Sequence, residues 1–243
     1  VMANPPFNVD KIDKDKDFVK NDPRLPFGLP KNDNGNYMFI QYFYSYLNDT
    51  GRAGFVMAAS AIDAKKSEKN IRQKLVETGH VESIVSIGNK FFYTRSLPCH
   101  LWFINKNKKN KDSILMIDAR NTYRKVTQTI NDFSPDQLEG FQNILKSFRG
   151  EDANFKSNNW LLNTFKSGKY EDITGLCKIV NKKEIIENDY SLNPGRYVGY
   201  SLNIDEKFDY KKRVEEINNE LNHLDKENKR LVELIKNLKF DDV

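Results

Sequence analysis

Short apolar runs alternate with longer amphipathic segments along the first half of the chain, a pattern typical of an α/β sheet. The apolar runs that indicate strands lie at residues 1–3, 52–59, 81–87, 101–104 and 114–118. Segments with helical spacing lie between them, at residues 36–48 and 67–78. The order of these elements predicts an α/β sheet whose strands at 81–87 and 101–104 form a hairpin.

Capping residues mark the expected starts of the helices. Asn36 and Ser67 are the predicted N-caps of the first two helices, because their side chains can accept a hydrogen bond from the first turn. A third helix is expected over residues 134–148, with Ser134 as its N-cap and Pro135 in its first turn. The region that follows mixes short elements.

The last part of the chain, residues 210–239, has the regular spacing of a coiled-coil helix. Its apolar residues alternate steps of three and four, and the polar Asn228 at an a position would fix register and partner number. The seam consists of Val214, Ile217, Leu221, Leu224, Asn228, Leu231, Ile235 and Leu238. A helix with so narrow an apolar stripe is predicted to pack on a partner. The alternative is a lone amphipathic helix folded onto its own domain.

Two polar segments are predicted to be loops. Residues 8–36 are rich in turn signals and unusually long for a connection, which favours a functional or mobile loop over a disordered surface insertion. Residues 106–111 hold four lysines and are predicted to form a solvated turn, with contact to a phosphate as the alternative.

Composition narrows the class of protein only modestly. The 243 residues carry 39 basic and 34 acidic side chains, and a net charge of +5 leaves nucleic-acid binding and an ordinary basic surface equally open. Cys99 and Cys177 lie far apart without a pairing pattern, which predicts free thiols and a cytoplasmic location. No stretch approaches the ~20 apolar residues that span a bilayer, so no membrane partner is predicted.

Because Val1 begins inside an apolar strand, we expect an amino-terminal part of a larger protein to precede it.

The segment Asn4-Pro5-Pro6-Phe7 follows directly on the first apolar run, which is predicted to be the end of a buried strand. Two prolines remove two amide donors and fix φ, so the strand must end in a stiff loop. Loops at the carboxyl ends of strands bind ligands in open α/β sheets. The side-chain oxygen of Asn4 and the carbonyl of Pro5 can accept hydrogen bonds from an amino group, and Phe7 can stack on a flat ring. The segment therefore predicts a pocket for an amino-bearing base, with catalysis by positioning and charge stabilisation.

The connection between the hairpin strands, residues 88–98, holds three aromatic residues and an arginine. It is predicted either to tuck its aromatic residues under the sheet or to form a second wall of the base pocket, opposite Phe7. Competing sites are weaker: His80, His100 and His223 are scattered without a metal-type pattern. The chain has neither a glycine-rich phosphate loop nor a Gly-x-Ser-x-Gly elbow.

These motifs together resemble those of a known family. Asn4-Pro5-Pro6-Phe7 matches the Asn/Asp-Pro-Pro-Tyr/Phe motif of amino-methyltransferases, a motif close to that of glutamine and RNA methyltransferases. The other motifs extend over essentially the whole chain and resemble the modification (M) subunit of type I restriction–modification systems. They are Asp22-Pro23-Arg24, Phe27-Gly28, Gly51-Arg52-Ala53-Gly54-Phe55-Val56, Ile71-Arg72-Gln73-Lys74-Leu75, Phe92-Tyr93, Leu97-Pro98, Leu101-Trp102-Phe103, Ile117-Asp118-Ala119-Arg120 and Asn193-Pro194-Gly195-Arg196-Tyr197-Val198.

The resemblance implies a DNA adenine-N6 methyltransferase that takes its methyl group from S-adenosylmethionine and acts on an adenine flipped out of the duplex. Asn4-Pro5-Pro6-Phe7 matches the family's catalytic motif, and Phe92 falls where its later base-pocket motif lies. The implied partners are double-stranded DNA, a specificity (S) subunit and a restriction (R) subunit. The seam at 214–238 would pack on helices of the S subunit.

The family's cofactor loop, a glycine-rich turn after the first strand, lies upstream of the Asn-Pro-Pro-Phe motif and is absent from this chain. We therefore expect the 243 residues alone to lack most of the S-adenosylmethionine site and to be inactive. The predicted parts are the carboxyl-terminal half of a Rossmann-like methyltransferase domain at 1–125, a mixed α/β extension at 126–205 and a coiled-coil helix at 206–243. Two other functions stay open: methylation of RNA or of a protein glutamine, and a non-catalytic interaction module that uses the last helix for assembly.

Overall fold

A computed structural model describes residues 1–10, 12–13, 15–30, 34–200 and 209–237. The chain divides into two compact units, Val1–Ser201 and Leu202–Val243, and each is described by itself. The first unit holds a sheet with helices on both faces, and the second holds a long helix.

The strands of the first unit form one large sheet and one small ribbon. In chain order they are β1 (Met2–Ala3), β2 (Arg52–Ala58), β3 (Val81–Ile87), β4 (Cys99–Asn105), β5 (Ser113–Asp118), β6 (Arg124–Lys125), β7 (Asn131–Asp132) and β8 (Cys177–Asn181). The six-stranded sheet has the order β1-β2-β4-β3-β5-β8, and β6 pairs with β7 in a separate two-stranded ribbon.

Four strands of the large sheet run in the same direction. β1 is parallel to β2 and β3 is parallel to β5, while β4 lies antiparallel between β2 and β3 and β8 is antiparallel to β5. The carboxyl ends of β1, β2, β3 and β5 therefore meet at one edge of the sheet, which we call the carboxyl edge. The predicted α/β sheet and the predicted hairpin, now β3–β4, are confirmed.

Helices cover both faces of this sheet. They are α1 (Asp17–Lys20), α2 (Asn36–Ser45), α3 (Ser67–Glu77), α4 (Pro135–Arg149), α5 (Asn159–Thr164) and α6 (Lys182–Glu187). One core contains Ile40 of α2, Leu75 of α3 and the fully buried Trp102 of β4, and the other contains Ile144 of α4 and Leu161 of α5. Within the described ranges, no helix combines the length and the apolar character that a bilayer crossing requires.

Helix α4 begins as its sequence predicts. Ser134 Oγ accepts a hydrogen bond from Gln137 N at 3.2 Å, and Gln137 Oε1 accepts one from Ser134 N at 2.9 Å. Pro135 occupies the first turn, where its missing amide proton costs no hydrogen bond. The helix ends at Gly150, whose φ of 70° suits a residue without Cβ.

The predicted N-caps of α2 and α3 are wrong. Asn36 is the first residue of α2, after Gly35, and its side chain pairs with Asn8 instead of capping the helix. Ser67 is the first residue of α3, and its hydroxyl donates to the carboxylate of Glu68 at 2.9 Å. Both residue types suit a cap, but here other polar groups compete for their side chains.

The prediction of a solvated turn at residues 106–111 is wrong for two of its four lysines. The ammonium of Lys108 is buried and donates to the carbonyl oxygens of Val81, at 2.7 Å, and of Ser113. Lys106 donates to the carbonyl oxygen of Leu47 at 2.7 Å. Burial lowers the pKa of Lys108 to about 8. Lys108 thus holds the amino ends of β3 and β5 together, a role that a run of four lysines does not reveal.

The boundaries at residues 125 and 205 stay predictions. β8 lies within the predicted extension and pairs with β5 from Ser113 to Ile117, so this extension contributes a strand to the large sheet.

The second unit contains α7 (Tyr210–Asn237), which confirms the predicted carboxyl-terminal helix. Its seam is exposed, with exposed fractions from 41% at Ile217 to 64% at Ile235. The other described seam residues are also exposed: Val214, Leu221, Leu224, Asn228 and Leu231. Leu238 lies outside the described residues. That α7 forms a coiled coil with a partner stays a prediction.

Candidate active site

Strand β1 delivers Asn4-Pro5-Pro6-Phe7 to the carboxyl edge. Met2 pairs with Gly54 of β2 in parallel, and the Gly54 amide donates to the carbonyl of Val1 at 2.9 Å. Val1 and Met2 are 47% and 95% exposed, and in the described part of the chain β1 is an edge strand of the sheet. That β1 is buried in a longer protein stays a prediction. The chain leaves the sheet at the prolines, which have no amide proton to donate.

Asn8 fixes the loop that follows. It adopts a left-handed conformation, with φ of 52°, which asparagine tolerates better than most residues. Its amide donates to Asn36 Oδ1 at 3.0 Å, and its Oδ1 accepts from Asn36 Nδ2 at 2.9 Å. Ser60 Oγ and Asn34 Nδ2 donate to the same oxygen, at 3.1 and 3.3 Å. Because Asn36 is buried, this pair ties the loop to the first turn of α2.

Phe7 and Phe92 meet edge to face beside a cleft of about 400 Å³ at the carboxyl edge. Their ring centroids are 6.2 Å apart and the rings are inclined by 81°. The cleft is lined by Asn4, Pro5, Pro6, Phe7, Asn8, Phe92, Thr94, Arg95 and Leu97. The structure thus brings together every residue predicted for the catalytic motif and the base pocket. That these residues bind a base stays a prediction.

The three aromatic residues of loop 88–98 have different surroundings. Phe91 packs on Phe133, with ring centroids 4.7 Å apart, as the tucked-under alternative predicts. Phe92 lines the cleft, as the second-wall alternative predicts, and Tyr93 is 89% exposed. Both alternatives are therefore realised, by different residues. The sequence prediction did not single out Thr94 and Leu97 as pocket residues, but both also line the cleft. The sequence of a loop does not tell in which direction each side chain points.

Two acceptors in the cleft are available for a ligand. Within the residues that the structure describes, neither the side-chain oxygen of Asn4 nor the carbonyl of Pro5 accepts a hydrogen bond. Asn4 is exposed while Pro5 is buried, so the amide extends from a fixed backbone. Two acceptors beside two aromatic rings can hold a flat ring with an amino group.

The segment of residues 193–198 packs against the carboxyl edge at β5. Arg120 pairs with Asp118 through two hydrogen bonds, Nε to Oδ1 at 2.8 Å and Nη2 to Oδ2 at 2.6 Å. The hydrogen bonds that Arg120 donates to Asp118 raise the pKa of Arg120 above its ordinary value. A Cβ on Gly195 would lie 2.6 Å from Arg120 Nη2, so a larger residue in the turn at Pro194–Arg196 would force the guanidinium to shift.

Other groups that could react near the edge are held in inert forms. Both cysteines are free and buried, as predicted, and burial raises the pKa of the Cys99 and Cys177 thiols to about 11. Burial and, to a smaller extent, the nearby positive charge of Arg120 lower the pKa of His100 to about 4. At neutral pH, His100 is therefore uncharged and the cysteines are thiols.

A family model described as N-6 DNA Methylase matches residues 1–206 of the chain. The chain is 34% identical over 248 residues to the type I restriction enzyme MjaIX methylase subunit of Methanocaldococcus jannaschii, covering 98% of this chain and 41% of that protein. It is 28% identical over 220 residues to the HindI methylase subunit of Haemophilus influenzae, covering 89% of this chain and 45% of that protein. The chain thus spans less than half the length of these curated relatives.

The fold has a solved counterpart. The type I restriction-modification methyltransferase subunit of Streptococcus thermophilus superposes with a TM-score of 0.67 at 25% identity. The match covers 82% of this chain and 38% of that chain. It confirms the predicted fold class, a partial Rossmann-like methyltransferase sheet with a further mixed region.

The Asn8–Asn36 pair generates a prediction about the rigidity of the loop. Replacing Asn36 by Ala removes the acceptor of the Asn8 amide, and the loss of this partly buried hydrogen bond costs about 1 kcal/mol or more. We expect hydrogen exchange at the Asn8 amide to accelerate about tenfold or more in Asn36→Ala. Asn70→Ala, at an exposed position of α3, is the matched control and should leave this rate unchanged. Equal exchange rates at Asn8 in Asn36→Ala and the parent would contradict the assigned role.

Proposed function

Because the chain belongs to the N-6 DNA methylase family, we propose that the complete protein methylates the N6 amino group of adenine in DNA. The proposed methyl donor is S-adenosylmethionine, and the proposed setting is a type I restriction–modification system. The partners are then double-stranded DNA, a specificity subunit and a restriction subunit, in the cytoplasm. The family and the methylase relatives support this proposal, and the cleft residues give it a chemical basis.

The observation that carries the proposal is the pair of acceptors beside two aromatic rings, and neither acceptor is used by a described residue. The N6 group of adenine has two hydrogens, which the side-chain oxygen of Asn4 and the carbonyl of Pro5 can accept. Held in this way, the amino nitrogen has a fixed direction towards a methyl donor, and little else is required of the protein. Hydrogen bonds to both acceptors also stabilise the positive charge that develops on this nitrogen.

An adenine can reach this cleft only after it has left the DNA stack. Flipping a base costs a few kcal/mol of stacking and pairing, and an aromatic pocket restores part of this. Phe7 and Phe92 supply two ring surfaces in the cleft, which is open to solvent on one side. We therefore assign the cleft to a flipped adenine.

The described residues fit the base better than they fit the methyl donor. They supply acceptors for an amino group, but the strand ends of the described residues show no glycine-rich turn that could hold S-adenosylmethionine. The cofactor, when bound, would supply an activated methyl group. The residues of this chain bind the base and direct its amino group.

The first test is methyl transfer by the complete protein to duplex DNA from labelled S-adenosylmethionine. Removing the acceptor in Asn4→Ala should lower N6-methyladenine formation by about a hundredfold or more. Asn4→Asp, which retains an acceptor oxygen, should keep measurable activity. Asn70→Ala serves as the control, because Asn70 is exposed on α3 away from the cleft.

The same assay separates the alternatives. Label found in RNA or on protein glutamine, with none on DNA adenine, would contradict the proposal and favour the corresponding rival. Parental activity in Asn4→Ala would show that the cleft is not the site of methylation.

A second test concerns these 243 residues alone. We expect calorimetry to detect no micromolar binding of S-adenosylmethionine by this chain, whereas the complete protein should bind it. The reason is that the chain spans 41% and 45% of two methylase relatives and shows no glycine-rich cofactor turn in its sequence. Micromolar affinity of the 243-residue chain would overturn this expectation.

We also propose that α7 joins the protein to a specificity subunit. A helix of 28 residues with an exposed apolar seam gains stability by burying that seam against another helix. The polar Asn228 at an a position would then select the register of the pairing.

Two matched double variants test this assembly. Leu221→Asp with Leu224→Asp places two charges in the seam, and Asn219→Asp with Asn222→Asp places two charges outside it. We expect only the seam variant to lose co-sedimentation with the specificity subunit, because burying unpaired carboxylates is costly. If the seam variant assembles as the parent does, α7 is not the contact.

A further inference from the structure

We propose that a basic cleft beside the β6–β7 ribbon binds the phosphates of the DNA strand close to the flipped base. The cleft measures about 300 Å³ and is lined in part by Lys90, Arg120, Asn121, Tyr123 and Lys125. The inference rests on the proposed function in taking DNA as the ligand. It adds a second contact surface, separate from the cleft of Asn4 and Phe7.

The basic cleft is built by hydrogen bonds between loop 88–98 and the ribbon. The Asn131 amide donates to the carbonyl of Lys90 at 2.8 Å, and Asn131 Nδ2 donates to the carbonyl of Asn89 at 3.1 Å. The ammonium of Lys90 donates to the carbonyl of Gln128 at 2.7 Å. These three bonds fasten the base of the loop that carries Phe92, so the walls of the basic cleft are fixed before a ligand arrives.

The charge of the cleft suits a polyanion. Loops 88–98 and 119–134 together contain five basic residues and one acidic residue, a formal charge of +4. The acidic residue, Asp132, is paired with Arg124, and no carboxylate is among the residues that line the cleft. The ammonium of Lys125 has no partner in the part of the chain that the structure describes. The guanidinium of Arg120, though paired with Asp118, belongs to a side chain that is 44% exposed.

One loop contributes to both clefts. Lys90 lines the basic cleft and Phe92 lines the other, and the Cα atoms of these two residues are at most about 7 Å apart. Phosphates of one DNA strand follow one another at about 3.4 Å along the helix axis. The phosphates within about two nucleotides of a base beside Phe92 are therefore the ones that we assign to the basic cleft.

The salt dependence of DNA binding tests this inference in the complete protein. We expect Lys125→Gln to reduce the slope of log affinity against log salt by about 0.9 and to weaken binding about tenfold at 0.1 M salt. Lys125→Arg keeps the charge and should keep the slope. Lys109→Gln is the matched control, since Lys109 is exposed in the turn after β4, at the opposite end of the sheet, and should leave the slope unchanged.

A second measurement locates the phosphates. Duplexes with neutral methylphosphonate linkages within two nucleotides of the methylated adenine should bind the parent more weakly, and Lys125→Gln should cause no further loss on them. Equal salt slopes for Lys125→Gln and Lys109→Gln would overturn the inference. So would a loss of affinity for the methylphosphonate duplex in Lys125→Gln as large as its loss for the unmodified duplex. The slope needs no methyl transfer, so this failure is distinct from a failure of the proposed function, which the Asn4→Ala assay reports.

Discussion

The common direction of four strands is the constraint on which the site depends. β1, β2, β3 and β5 all end at the carboxyl edge, and the loops that follow β1 and β3 carry the two aromatic residues of the cleft. The antiparallel β4 makes this possible, because it lies between β2 and β3 and returns the chain from loop 88–98 into the sheet. Segments far apart in sequence thus meet at this edge, where Phe7 contacts Phe92.

Polar side chains then hold these loops in place. Asn8 reaches the buried Asn36 through two hydrogen bonds, and Asn131 fastens the base of loop 88–98 through two more. Such bonds contribute only about 1 kcal/mol each to net stability, but together they restrict where the loops can move. They allow an exposed Asn4 amide and an exposed cleft to keep a fixed geometry, which positioning catalysis requires.

Much of this arrangement could be predicted from the sequence. The apolar runs predicted the bounds of strands β2 to β5 to within a few residues. The two prolines, which lack amide protons, predicted that Asn4-Pro5-Pro6-Phe7 lies in a loop at the end of a strand. The meeting of Phe92 with Phe7 was one of two open alternatives, because the hairpin placed loop 88–98 at the correct end of the sheet.

Two of the failures have a common physical cause, since each concerns a polar residue with a partner that is distant in sequence. Lys108 looks solvated among four lysines, yet it bonds the carbonyls of Val81 and Ser113. Asn36 looks like a cap, yet it bonds Asn8, 28 residues away. Local pattern predicts elements well, but it does not tell which of several polar partners a side chain will choose.

The claim at the centre of this account is that an adenine leaves the duplex and enters the cleft beside Phe7 and Phe92. Fluorescence of 2-aminopurine, placed at the methylated position of a duplex, tests it most directly, because this base brightens when it leaves the stack. The account predicts a rise when the complete protein binds, and no rise when the fluorophore lies at another position in the same duplex. Bound DNA with unchanged fluorescence at the methylated position would contradict it.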